Sequence, residues 1–292
     1  MAFHSVESML RAARMQSLSL ADAICRNDLA ESGLTEESSR RQMANLWAVM
    51  QETSRNYCAA DRSNSGLIGG DAGKVRTAYG QGLLMGDSFL NTVIEEAIKT
   101  AECNACMKRI VAAPTAGSCG VLPAVLIALS GSRELEEKAI LDALYIAAGF
   151  GQIVAHRASI SGAEGGCQAE IGTASAMAAA ALASLCGGDN DQCAAAFSIA
   201  LSNLLGLVCD PVAGLVEVPC VQRNVIGAVN AVSAANLALA GITHHIPPDE
   251  IIDAMREIGD QMHTDLRETG LGGLSGTPTA KLITERLHHK KF

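Results

Sequence analysis

Apolar and polar positions alternate at helical spacing along almost the whole chain. In 4–15, 19–30 and 35–59 apolar residues return every three or four positions among charged ones, the pattern of helices with one face in water. Further helices are expected at about 83–106, 121–130, 134–157, 168–186, 190–208, 223–241 and 250–263, with a short last one after 281. Gly187-Gly188 stops the helix at 186, and Asp249 is expected to cap the helix at 250. Glycine- and proline-rich breaks separate these elements: SNSGLIGGDAGK (63–74), APTAGSCG (113–120), SGAEGG (161–166), CDPVAGLVEVPC (209–220) and GLGGLSGTPTAK (270–281). Two-residue alternation is almost absent, so few strands are expected. With no repeat and no long linker, the expectation is all-α: one helical domain over 1–292, with a central Ala-rich helical layer and Gly-rich loops around the site.

Composition narrows the partners. The 292 residues are 49% hydrophobic and 18% charged, too apolar for a disordered chain. A net charge of −9 argues against nucleic acid, which needs a basic surface, and against an anionic membrane face. The uncharged stretches 111–132, 171–186, 194–209 and 224–243 carry Pro, Gly, Ser or Asn and lack flanking Lys/Arg clusters. They read as buried helices rather than membrane spans. The opening MAFHSVESMLRAARMQ reads as an amphipathic helix rather than a signal peptide, so a reducing cytoplasm and free thiols are expected.

Ten cysteines then need an explanation. Cys25, Cys58, Cys103, Cys106, Cys186 and Cys193 fall within or at the end of predicted helices, where packing is the ordinary role. Cys103 and Cys106 form a CxxC, but inside a helix pattern and without a second pair at zinc spacing. Cys119, Cys167, Cys209 and Cys220 stand instead at helix mouths. The loop 209–220 carries a cysteine at each end, stiffened by Pro211 and Pro219, and Cys167 can join them from a neighbouring helix start. Three converging thiolates make a candidate iron–sulfur site, with packed thiols as the alternative.

At these residues the sequence resembles a known family. SISGAEGGCQAEIG (159–172), CDPVAGLVEVPCVQRN (209–224) and APTAGSCGVLP (113–123) are similar to signature segments of the iron–sulfur L-serine dehydratases, in the alpha chain of the two-chain type. SGLIGGDAGK (65–74) and RETGLGGLS (267–275) extend the resemblance over nearly the whole chain. It implies a 4Fe-4S cluster on Cys167, Cys209 and Cys220 with one iron lacking a protein ligand, and breakdown of L-serine to pyruvate and ammonia without pyridoxal phosphate. Cys119 is not among the ligands it implies. It further implies a separate beta chain, whose Ser-Ser-His-Thr type segment this sequence lacks.

An open iron serves such a reaction as a Lewis acid on the hydroxyl, and Arg223 can offset the cluster's negative charge. Glycine backbones can approach a small zwitterion closely, which makes SNSGLIGGDAGK and APTAGSCG the expected substrate cradle. Ser65, Lys74 and Thr115 are its nearest side chains in this reading, and GLGGLSG is either a lid or a mobile terminus. No histidine stands out as the base; His156 and His263 are the nearest candidates, and the partner chain is the other source. The rivals are a cluster-dependent L-cysteine desulfidase, threonine as substrate, and a non-catalytic iron–sulfur protein closed by Cys119.

Overall fold

The computed structural model describes residues 3–289. Its helices are α1 (Val6–Met15), α2 (Leu20–Ser32), α3 (Glu36–Arg55), α4 (Asp71–Gly80), α5 (Ser88–Ala105), α6 (Val121–Ser132) and α7 (Glu137–Arg157). The one-turn α8 (Gly162–Gly165) follows, then α9 (Thr173–Leu185), α10 (Asn190–Ser202), α11 (Cys220–Leu239), α12 (Pro248–Gln261) and α13 (Pro278–His289). No strand is present among the described residues; a single parallel bridge joins Cys209 to Arg267.

The all-α, Ala-rich architecture follows from side-chain size. Ala176, Ala178, Ala179, Ala180, Ala181 and Ala183 of α9 are fully buried, and α6, α7, α10 and α11 close around that helix. Small side chains let the backbones approach, while Phe150 of α7 and Phe197 of α10 stack at 4.6 Å to fill the wider space. The polar residues that counted against a membrane span act as ties here. Asn230 of α11 donates to Ser175 Oγ of α9 (2.9 Å) and to the Ala200 carbonyl of α10 (2.9 Å). α7 is long and apolar enough to cross a membrane, but 67% of its most apolar stretch is buried inside the fold.

Three departures from the expected pattern have physical causes. The segment 63–74, read as a glycine loop, holds the start of α4. Its N-terminal donors are satisfied from α5, where the buried Glu102 accepts from Asp71 N–H (2.8 Å) and Ala72 N–H (3.5 Å). Asp249 does not cap α12, because that helix already begins at Pro248 and Asp249 lies inside its first turn. Its carboxylate instead caps α1, accepting from Val6 N–H (2.8 Å) and Glu7 N–H (3.1 Å). The expected helix 190–208 stops at Ser202, and 203–208 turns to meet the start of the helix that follows Cys167.

An ion cluster, buried at Lys99 and open to water at Arg76, couples α4 to α5. Arg76 donates to Glu95 (Nε, 2.9 Å), and Lys99 Nζ lies 2.8 Å from the same carboxylate. Burial raises the pKa of Glu95, but the hydrogen bonds of Arg76 and Lys99 outweigh it and hold the group below the usual carboxylate range. A depressed carboxylate adds stability above its unfolded pKa and loses it as pH falls. Glu95→Gln is therefore expected to lower the melting temperature at neutral pH, with the deficit closing below about pH 4 in thermal scans at several pH values.

Candidate metal centre

Two sequence breaks meet at the mouth of α9. The first runs through α8 and Gly166 to Cys167, then through a wide π turn, Gln168–Gly172, directly into α9. Gln168, wholly buried, fixes that turn from three sides. Its side chain donates to the Met255 carbonyl (2.9 Å) and accepts from Gly206 N–H (2.8 Å), and its own N–H donates to the Leu207 carbonyl (2.9 Å).

The second break starts at Cys209. Its N–H donates to the Leu266 carbonyl (2.9 Å), and its carbonyl accepts from Glu268 N–H (2.7 Å). Asp210 pairs with Arg223 (2.7 Å) and accepts from Leu274 N–H (2.7 Å). The glycine tail 270–276 is thus docked on the cysteine loop, where the sequence left a lid or a mobile terminus open.

These placements gather a donor set. One ligand atom from each of Cys167, Glu170 and Cys209 lies within 4.8 Å of the other two. Glycine makes the closeness feasible. A Cβ on Gly162 would stand 2.7 Å from Glu170 Oε2 and 2.9 Å from Cys209 Sγ, and one on Gly117 would stand 3.1 Å from Glu170 Oε1. The SGAEGG and APTAGSCG segments therefore press bare backbone against the donor set.

The electrostatics favour a thiolate. Cys209 donates a hydrogen bond to Cys167; together with Arg223 this outweighs burial and holds the Cys167 thiol below its ordinary pKa. The same hydrogen bond and burial drive Cys209 well above its own. Burial raises Glu170, with the charge of Glu268 adding to it, while a hydrogen bond from Thr115 opposes the shift. Arg223, its guanidinium also bonded to the Val208 carbonyl (2.7 Å), supplies the nearby positive charge.

The remaining expected residues divide. Cys220 opens α11 and lies outside the mutual 4.8 Å set, so convergence is seen for two of the three cysteines. It is still within the field of the site: burial, then Cys167 and Glu170, push its thiol up to about 12. Asn224 binds this turn to the APTAGSCG loop, donating to the Gly117 and Cys220 carbonyls (both 2.8 Å). Thr115 stands at Glu170. Ser65 is buried with Ser63 on the carboxylate of Glu217, which ties the 63–70 loop to the cysteine loop. Lys74 points outward, 78% exposed and paired with Asp71 at 2.6 Å.

Cys119 is fully buried, its Sγ on the Thr100 carbonyl (3.8 Å) and its pKa pushed up to about 12 by burial. That is a packed thiol. Cys103 likewise bonds the Thr53 carbonyl (3.8 Å). His156 packs edge-on against His4, and His263 accepts from Asp265 N–H (3.2 Å), so neither is engaged with the sulfurs. Three carboxylates escaped the sequence reading. Glu170 carried one usable signal, its position three residues after Cys167 on a helix start; Glu217 and Glu268 carried none.

The chain is similar to known proteins over nearly its whole length. Residues 15–275 match the family model described as Serine dehydratase alpha chain. A Bacillus subtilis protein named "Probable L-serine dehydratase, alpha chain" is 44% identical over 285 residues, 98% of this chain and 95% of that one. The "L-serine dehydratase, alpha chain" of Peptoniphilus asaccharolyticus is 41% identical over 269 residues, 92% of each. A longer Escherichia coli L-serine dehydratase is 37% identical over 284 residues, 94% of this chain and 61% of that protein. A match that runs through both cysteine segments and both glycine loops places this chain in the serine dehydratase alpha chain family.

Proposed function

We propose that the chain is the catalytic alpha chain of an iron–sulfur L-serine dehydratase, a lyase forming pyruvate and ammonia. The observation that carries the reading is the convergence of Cys167, Glu170 and Cys209, both thiols buried and the carboxylate half-buried, with the Cys167 thiol held below its ordinary pKa and glycine backbone packed against the set. Soft thiolates suit iron, and the donor set fits a cluster with Cys220 as its third thiolate ligand. When bound, a cluster held by three thiolates supplies an open iron that acts as a Lewis acid toward the serine hydroxyl.

The other roles fall to the chain's own groups. Glu170 takes the Cα proton of serine; the C–H electrons form the Cα–Cβ double bond, the Cβ–O bond breaks, and the proton held by Glu170 passes to the departing hydroxyl, which leaves as water. The 2-aminoacrylate released hydrolyses to pyruvate and ammonia. Thr115 of the 113–120 loop orients Glu170 through its hydrogen bond, while Ser65 acts through Glu217 by holding the 63–70 loop in place. Arg223 and Asp210 keep the Cys209 segment and the tail in register. Pyridoxal phosphate is not required by this scheme. The proposed setting is a reducing cytoplasm, in keeping with ten free thiols, and the active assembly includes a beta chain.

Anaerobic reconstitution with iron and sulfide, followed by pyruvate assays on L-serine, L-threonine and L-cysteine with and without a beta chain, tests the reading. Brown protein that converts serine fastest is expected. A colourless, iron-free chain would contradict it, and sulfide release from cysteine as the main activity would make the enzyme a desulfidase instead.

A further inference from the structure

An enzyme acting on serine has to hold the substrate's ammonium as well as its hydroxyl, and the cysteine site leaves one carboxylate free for that task. Asp210 is taken by Arg223 and by Leu274 N–H, and Glu217 by Ser63 and Ser65. Glu170 is bonded to Thr115. Glu268 is different. It is exposed, and the hydrogen bond it makes among the described residues runs through its backbone N–H.

That backbone is fixed against the site. A parallel bridge sets Arg267 beside Cys209, and Glu268 N–H donates to the Cys209 carbonyl (2.7 Å). Glu268 has φ +62°, a left-handed conformation that residues with a side chain keep only where their surroundings impose it. Its charge reaches the donor set. Burial is the first cause of the raised pKa of Glu170 and Cys220, and the hydrogen bond with Cys167 that of Cys209; the charge of Glu268 adds to all three. Those groups stand on three elements, the π turn, the loop from Cys209 and the start of α11. A charge felt by all three lies over the face they share, and its exposure leaves it open to an incoming ligand.

We propose that Glu268 binds the ammonium group of the amino-acid substrate. On the serine dehydratase reading, on which this assignment rests, two carboxylates divide the work: Glu268 binds and orients, and Glu170 is left to act on Cα. A fixed anion over the site also selects an amino acid against the hydroxy acid that lacks the amine. The glycine tail thereby becomes the element that carries a substrate contact.

The test combines steady-state kinetics on L-serine with anaerobic calorimetric titration of the reconstituted enzyme. The titrants are L-alanine and propionate, which lack the hydroxyl to be eliminated and differ from each other only in the ammonium. Glu268→Gln is expected to raise KM for serine at least about tenfold, with a smaller change in kcat and with iron per chain unchanged. Wild-type enzyme is expected to prefer alanine to propionate at least about tenfold, and Glu268→Gln to erase that preference. Glu268→Asp, which keeps the charge, is expected to recover part of it. Serine turnover with KM and the alanine preference both unchanged in Glu268→Gln would overturn the assignment and leave the reaction standing. So would equal weakening of both titrants, the mark of a structural role. A wild-type enzyme that does not act on serine would remove the reading itself, and the assignment with it.

Discussion

Glutamine in place of Glu170 is expected to lower serine turnover by about 10²–10⁴-fold while leaving iron and sulfide per chain unchanged. The substitution keeps the shape that fills the space between Gly117 and Gly162 and removes only the ability to accept a proton. Steady-state kinetics and an iron assay on the same preparation separate the possible roles. Loss of iron along with activity would make Glu170 a ligand. Unchanged turnover would move the proton acceptor to another residue, with the beta chain the first place to look. Thr115, hydrogen-bonded to that carboxylate, provides a companion: Thr115→Val is expected to have a smaller effect, because it disturbs the orientation of Glu170 without removing it.

Serine at Cys209 or Cys167 is expected to reduce iron affinity by more than about 100-fold and abolish turnover, since loss of even an outer partner of a metal ligand costs 10–100-fold. The contrast that gives the result meaning is Cys119→Ser. Its sulfur rests on the Thr100 carbonyl, so its removal should leave iron content at the wild-type value. Cys220→Ser carries the sharpest information, because this thiol lies outside the 4.8 Å set. It is expected to lose iron like the other two. Retention of full iron in that variant would refute a three-thiolate site and favour the Cys167, Glu170 and Cys209 donor set acting alone.

The legible part of the structure was whatever repeats locally. One-sided burial made α1, α2 and α3 visible as amphipathic patterns, and the bare Ala-rich run of α9 announced the centre of the fold. Cys167 and Cys209 were readable because glycine and proline mark the helix mouths where they stand. Contributions from distant residues were not readable. α4 exists because Glu102, on another helix, satisfies its first N–H groups, and Asp249 caps α1 rather than its own helix. Cys119 and Cys167 occupy similar glycine-flanked positions in the sequence; only packing tells them apart, one thiol facing a carbonyl in the core and the other facing Arg223. Glu170 reads in the sequence as an ordinary helix acid. Its importance comes from two glycines, one of them about fifty positions away in sequence, that leave it room beside the sulfurs.

The most direct test of the cysteine site is Mössbauer spectroscopy of the chain reconstituted with ⁵⁷Fe, recorded before and after L-serine is added. A cluster on Cys167, Cys209 and Cys220 predicts one iron distinct from the rest, whose signal alone moves when serine arrives. Four equivalent irons with no response to serine, or a lone iron without sulfide, would contradict it.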